Sequence, residues 1–295
     1  MKDFLLHNQD NEGDISFLLA VMKRLRTPGT GCPWDLEQTP STLVRHTLEE
    51  AYEVAEAVER NDMKSLRDEL GDLLLQVVFY AQIAQEKGIF DFSDVVRSIS
   101  RKMIRRHPNI FGDEKTETAQ DQTVLWEKIK ESERRQKREG PKAHSILDGV
   151  TSTLPALMRA KKLQDRAARV GFDWEKPFLV LEKVLEEIEE LRVEMEMKAS
   201  RDRLEDEMGD ILFACANLAR KLDIDPESAL RRANTKFERR FHHIENMIGA
   251  RNGSLHETSL EEMESLWEDA KRLENNVASP SPVSRETKDR NKGNE

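Results

Sequence analysis

At 295 residues the chain has room for one large domain or for two of roughly 100–150 residues each. Its formal net charge of −10 argues against stable nucleic-acid binding, which calls for a basic face, though a local basic pocket for a phosphorylated small molecule remains open. Only 6% of residues are aromatic, and long stretches rich in Ala, Leu, Glu, Lys and Arg predict an all-α fold.

Residues 1–13 read as a polar leader without signal-peptide architecture. No apolar run approaches the ~20 residues that a membrane helix needs, so a soluble, cytoplasmic protein without membrane contact is expected. Cys32 and Cys215 lie far apart and read as reduced thiols. The first domain is expected over 14–133. It contains a helix carrying Leu48, Tyr52, Val54, Ala55 and Val58, a break at Asn61-Asp62, and a second helix. In that second helix Leu70, Leu73, Leu74, Val77, Val78 and Ala81 form one apolar stripe. Downstream stand Lys102, Arg105 and Arg106, then Trp126-Glu127. A charged linker with Gly140-Pro141 at its centre is expected over 134–150.

The second domain, expected over 151–275, repeats these landmarks in order. Leu185-Glu186-Glu187-Ile188-Glu189-Glu190 matches Leu48-Glu49-Glu50-Ala51-Tyr52-Glu53, and Glu207-Met208-Gly209-Asp210 matches Glu69-Leu70-Gly71-Asp72. Glu50 and Glu69 are 19 positions apart, Glu187 and Glu207 20. Lys236, Arg239 and Arg240 match Lys102, Arg105 and Arg106, and Trp267-Glu268 matches Trp126-Glu127. The chain is therefore read as a tandem duplication of a helical-bundle domain, closed by a disordered tail over 276–295.

Glu50 and Glu53 stand at i, i+3 on one helix face, as do Glu69 and Asp72 on the next helix. A short connection makes the two helices antiparallel neighbours, so four carboxylates meet. Their repulsion and partial dehydration predict a bound divalent cation, and all-oxygen ligands suit Mg²⁺ or Mn²⁺ rather than zinc. Glu187, Glu190, Glu207 and Asp210 form a second such tetrad. Lys236, Arg239 and Arg240 make a cationic stripe suited to a polyphosphate. Gly71 and Gly209 sit inside helices, for which close packing beside the site is the expected reason.

These residues resemble the MazG family of nucleoside triphosphate pyrophosphohydrolases, in its two-domain bacterial form. The resemblance rests also on Gly31-Cys32-Pro33-Trp34-Asp35, Leu154-Pro155-Ala156-Leu157, Val170-Gly171-Phe172-Asp173-Trp174 and the run from Lys236 to Phe241. It implies hydrolysis of nucleoside triphosphates to the monophosphate and diphosphate, Mg²⁺ dependence and a homodimer. It also implies that the C-terminal domain is the active one, with Glu187, Glu190, Glu207 and Asp210 as metal ligands. Lys183, Arg203, Leu204, Glu205, Asp206, Lys236, Phe237, Glu238, Arg239, Arg240 and Trp267 would line the nucleotide site. Glu186 or Glu190 is the expected activator of the attacking water. A di-iron carboxylate protein is disfavoured, because no His has Glu three residues before it. A non-catalytic helical scaffold is the other alternative.

Overall fold

The computed structural model describes residues 13–115, 118–136 and 145–278, and among them every regular element is helical. The expected leader up to residue 12, the centre of the expected linker and most of the expected tail lie outside the described residues. The chain forms two compact units, Met1–Gly140 and Pro141–Glu295.

The first unit holds α1 (Ile15–Leu25), α2 (Pro33–Glu37), α3 (Pro40–Glu59), α4 (Met63–Glu86), α5 (Phe92–Arg106), α6 (Pro108–Phe111) and α7 (Ala119–Gln136). Polar residues start α1, α3, α4 and α5 by meeting the orphan N–H groups of the first turn. Thr39 and Thr42 form a reciprocal capping box at α3, with Pro40 at the first helical position, and Asp62 caps α4. Asn61, the middle residue of the α3–α4 connection, lies in the left-handed region (φ 54°), a conformation that Asn tolerates. That three-residue connection folds α3 and α4 into a tightly packed hairpin, against which α1 lies. α7 runs to Gln136 and so occupies the start of the expected linker.

The expected apolar stripe of α4 is divided. Val78 and Ala81 are buried, and the core joins Val78, Phe79 and Ile83 to Met22 of α1 and Leu43 of α3. Leu70, Leu74 and Val77 stay exposed on another side of the helix. α4 is therefore apolar on two faces, and the first unit covers only one of them.

The second unit repeats the plan with α8 (Ala156–Ala168), α9 (Pro177–Glu196), α10 (Arg201–Lys221), α11 (Pro226–Gly249), a 3-10 turn (Leu255–Glu257) and α12 (Leu260–Ala278). α9 and α10 form the hairpin, with Lys198 left-handed (φ 53°) in the connection and Ser200 capping α10. α8 packs on α10, and α11 on α12 through Ile244, Ile248 and Leu266. Leu185, Ile188, Met208 and Leu212 remain exposed on the hairpin.

Two ion-pair ties hold the first unit's periphery. Arg26, at the end of α1, is 8% exposed and makes a bidentate pair with Glu86 at the end of α4 (2.8 and 2.7 Å). It also donates to the carbonyl of Asp35, fixing the loop around α2. Arg105 and Arg106 of α5 share Glu133 of α7 (2.7 and 2.6 Å), and Arg239 and Arg240 of α11 share Glu274 of α12 in the same way (2.8 Å each). Glu133 and Glu274 each stand seven positions after their Trp, an element of the repeat that sequence reading missed.

Truncation of Glu86 leaves a buried guanidinium unpaired. Glu86→Ala should lower unfolding stability by about 3 kcal/mol, and Glu86→Gln by less, as read by urea denaturation. The hydrogen bonds and charges of Arg106 and Arg105 hold the Glu133 carboxyl down to about 2. A depressed carboxyl stabilises fully above its unfolded value and loses that contribution as pH falls through its folded value. Wild type should thus exceed Glu133→Gln in stability at neutral pH, with the gap closing between the ordinary glutamate range and about pH 2. Parallel acid titrations followed by circular dichroism would reveal a pH-independent gap if the tie is not electrostatic.

Candidate active site

Glu187 of α9 and Glu207 and Asp210 of α10 bring carboxylate oxygens within 4.8 Å of one another, close enough to share one metal ion. The hairpin places them: Glu207 and Asp210 lie one helical turn apart, and α9 runs alongside. Glu187 and Glu207 are each 7% exposed, whereas Asp210 is exposed. The first unit holds Glu50, Glu69 and Asp72 in the same geometry.

The fourth member of each expected tetrad lies just outside the tight group of three. Glu190 is exposed but feels the cluster: desolvation first, and then the charge of Glu187, pushes its carboxyl up. Glu53 neighbours both Glu50 and Glu69. Burial, followed by the charges of Asp72 and Glu53, raises Glu50; desolvation, followed by Glu53 and Asp72, raises Glu69.

The two clusters differ in their cations. Lys183 sits four residues before Glu187 and donates to Glu186 (2.7 Å), with Glu187 at 2.8 Å. Those two carboxylates push the Lys183 ammonium up. Arg203 sits four residues before Glu207 and bridges Glu194 (2.7 Å) and Glu207 (2.9 Å). The equivalent positions in the first unit are His46 and Ser65. His46 lies 3.1 Å from Glu49, and Ser65 is engaged with its helix cap Asp62.

Of the other expected site residues, Leu204, Glu205 and Asp206 occupy the first turns of α10 beside Arg203, Leu204 half-buried and the two acids exposed. Lys236 to Arg240 lie on α11. There Lys236 and Glu238 are exposed, Phe237 stacks on Phe241 (6.0 Å), and Arg239 and Arg240 hold Glu274. The Trp267 ring meets Phe237 (5.3 Å) and the Arg240 guanidinium (5.4 Å). Among the described residues, no ion pair or hydrogen bond links this cationic stripe to Glu187, Glu207 or Asp210. Gly71 and Gly209 also differ from expectation: a Cβ at either would meet nothing within 4 Å, so close packing inside the chain does not account for them.

A cavity of about 300 Å³ opens beside the second cluster and shares Lys183, Glu187 and Asp210 with it. Its walls are mainly apolar, from Leu163, Ala167, Phe172, Trp174, Val180 and Phe213, with the amides of Gln164 and Asn217 among them. Phe172 and Trp174 come from the segment between α8 and α9, which turns at Gly171 (φ 88°). Asp173 pins that segment to α10 by accepting from Arg220 and from Lys221 (3.2 Å). Sequence reading used Val170 to Trp174 only as a family landmark. It missed Gln164, Asn217 and Arg220, for which the chain offers no local spacing signal. In the first unit, Phe79 stands seven positions after Asp72, as Asn217 does after Asp210. Phe79 is 3% exposed, with Trp34 edge-on to it and the Arg26 guanidinium over its ring (5.4 Å).

Comparison with known proteins agrees with this architecture. Residues 38–111 and 176–245 match the family described as the MazG nucleotide pyrophosphohydrolase domain, one segment in each unit. The chain is 51% identical over 261 residues to the nucleoside triphosphate pyrophosphohydrolase of Escherichia coli K12, covering 88% of this chain and 98% of that one. It is 43% identical over 254 residues to the nucleoside triphosphate pyrophosphohydrolase/pyrophosphatase MazG of Thermotoga maritima, covering 86% and 94%. Two repeated carboxylate hairpins, one match to the family in each, and relatives spanning nearly their full length place this chain in the MazG nucleotide pyrophosphohydrolase family.

Proposed function

We propose that the chain is a Mg²⁺-dependent nucleoside triphosphate pyrophosphohydrolase that converts NTP and water to NMP and diphosphate at Glu187, Glu207 and Asp210. The observation that carries this reading is the joining, in the second unit, of three clustered carboxylates, two adjacent cations and an open cavity. The same cluster in the first unit lacks the cations, and Phe79, Trp34 and Arg26 occupy the neighbouring space. That contrast supports a catalytic C-terminal domain, over 151–275, and a structural or regulatory N-terminal domain, over 14–133.

A hard divalent cation held by Glu187, Glu207 and Asp210, with Glu190 completing the set, would neutralise phosphate charge and polarise the scissile phosphoryl group. Lys183 and Arg203 neutralise Glu187 and Glu207 in the free chain, and both can turn to phosphate oxygens once the carboxylates have another positive partner. Glu186 or Glu190 takes the proton of the attacking water as the α–β anhydride breaks and diphosphate leaves.

Lys236, Arg239 and Arg240 complete the phosphate clamp in this reading. Among the described residues no ion pair or hydrogen bond joins them to Glu187, Glu207 or Asp210, and a homodimer in which α11 of one copy reaches the hairpin of the other supplies the link. The exposed apolar face of Leu185 (58%), Ile188, Met208 and Leu212 supports such pairing, and the face of Leu70, Leu74 and Val77 repeats it in the first unit. No helix among the described residues is long and apolar enough to cross a membrane.

Replacing Glu207 with Gln and Asp210 with Asn should cut diphosphate release roughly a hundredfold or more. The matched pair Glu69→Gln and Asp72→Asn should leave release largely intact. The opposite pattern, read by chromatography of NMP, would move the active site to the first unit. Cation binding should also appear as stability. Raised carboxyls cost the metal-free protein stability as pH climbs through their folded values, so the gain in melting temperature from Mg²⁺ or Mn²⁺ should be larger at pH 8 than at pH 5. A melting temperature indifferent to both ions would contradict metal binding.

A further inference from the structure

The cavity beside Glu187 and Asp210 contains two buried amides whose orientations are fixed in opposite senses. Gln164 is 7% exposed and donates from Nε2 to the carbonyl of Phe213 (2.9 Å). A carbonyl only accepts, so the atom facing it is the nitrogen, and Oε1 is left as a buried acceptor without a partner. Asn217 is 4% exposed and accepts the Nε–H of Arg220 on Oδ1 (2.9 Å). A guanidinium only donates, so Nδ2 is the atom left over, and it makes no hydrogen bond among the described residues. Asp173 holds Arg220 in place, which locks the Asn217 amide against a flip.

Buried amides with unmade hydrogen bonds are costly, and they call for a partner. The cavity is large enough for a flat heteroaromatic ring, its other walls are apolar, and Phe172 and Trp174 offer aromatic surface. Trp267, the other aromatic candidate, is already engaged by Arg240 and Phe237. The carboxylates at the cavity's edge are where the phosphates of the proposed substrate belong.

We propose that this cavity receives the nucleobase and that Asn217, as donor, and Gln164, as acceptor, read its hydrogen-bonding edge. The inference rests on the proposed hydrolysis at Glu187, Glu207 and Asp210. The edge required presents an acceptor next to an N–H: adenine and cytosine do so with a ring nitrogen and an amino group, guanine and uracil with a carbonyl and a ring N–H. Gln164 and Asn217 are specificity residues in this scheme: they touch the base and take no part in the phosphoryl step.

The test compares kcat/KM for ATP with that for purine riboside triphosphate, and for CTP with that for its 4-deaminated pyrimidin-2-one analogue. Wild type should favour the amino-bearing member of each pair by roughly tenfold or more, because the analogue leaves Gln164 Oε1 unpaired. Gln164→Leu should shrink that preference to within about twofold. Asn217→Asp keeps an acceptor for Arg220 but replaces the donor with a second acceptor, so KM should rise for all four substrates while kcat stays close to wild type. Equal rates for wild type on both members of each pair would overturn the proposal without any variant having to fold, as would a preference that survives Gln164→Leu. Calorimetric binding of AMP against purine riboside monophosphate separates the two levels. If no triphosphate is hydrolysed but AMP binds at least roughly tenfold more tightly, the proposed activity fails and the base site stands; equal affinities overturn the base site.

Discussion

Clustered negative charge is the constraint on which the rest of this molecule depends. Three carboxylates within 4.8 Å on a packed helical hairpin repel one another, and partial burial removes the water that would screen them. The duplicated halves meet this cost differently. The second places Lys183 and Arg203 one turn ahead of Glu187 and Glu207, so that built-in cations balance the buried pair. The first has His46 and Ser65 there, and the strain shows as Glu50 and Glu69 carboxyls held above their ordinary range. One backbone plan thus carries one cluster paired with cations and another that, among the described residues, has His46 and Ser65 at those positions.

Much of this plan was legible in the sequence. The duplication, the hairpins and the close approach of Glu187, Glu207 and Asp210 follow from i, i+3 spacing across a short connection, which helical geometry fixes without knowledge of the tertiary fold. Less legible was the use of the apolar residues. Leu70, Leu74, Val77 and Val78 share a helical period, yet only Val78 is buried, because α4 is apolar around much of its circumference and periodicity does not say which side the chain itself covers. The glycines misled for a related reason. A helix-interior Gly implies a cost, but the open space beside Gly71 and Gly209 shows that close packing within the chain is not what it is exchanged for.

The cavity was invisible to sequence reading in a stricter sense. Gln164 and Asn217 belong to different helices, and each is an unremarkable polar residue on a helix. Their meaning comes from which of their atoms are already bonded, a tertiary fact with no periodic signature. Glu133 and Glu274 were missed although they do repeat, because their arginine partners lie 27 to 35 positions away and no local rule pairs them.

The ties around the two hairpins run in opposite senses of charge, at positions that the repeat does not equate. In each half an ion pair fastens the segment ahead of the first acidic helix to the second helix of the hairpin. In the first half the cation, Arg26, comes from the segment and the anion, Glu86, from α4. Its guanidinium also lies over Phe79, on the same helix as Glu86. In the second half the anion, Asp173, comes from the segment and the cations, Arg220 and Lys221, from α10. Their long side chains stay with their own helix, where Arg220 orients Asn217 rather than covering it. Asp173 holds Phe172 and Trp174, its neighbours in the chain, where they line the cavity with Asn217 and Arg220. The tie that holds the cavity's aromatic wall in the second half is thus also the tie that orients its buried amide.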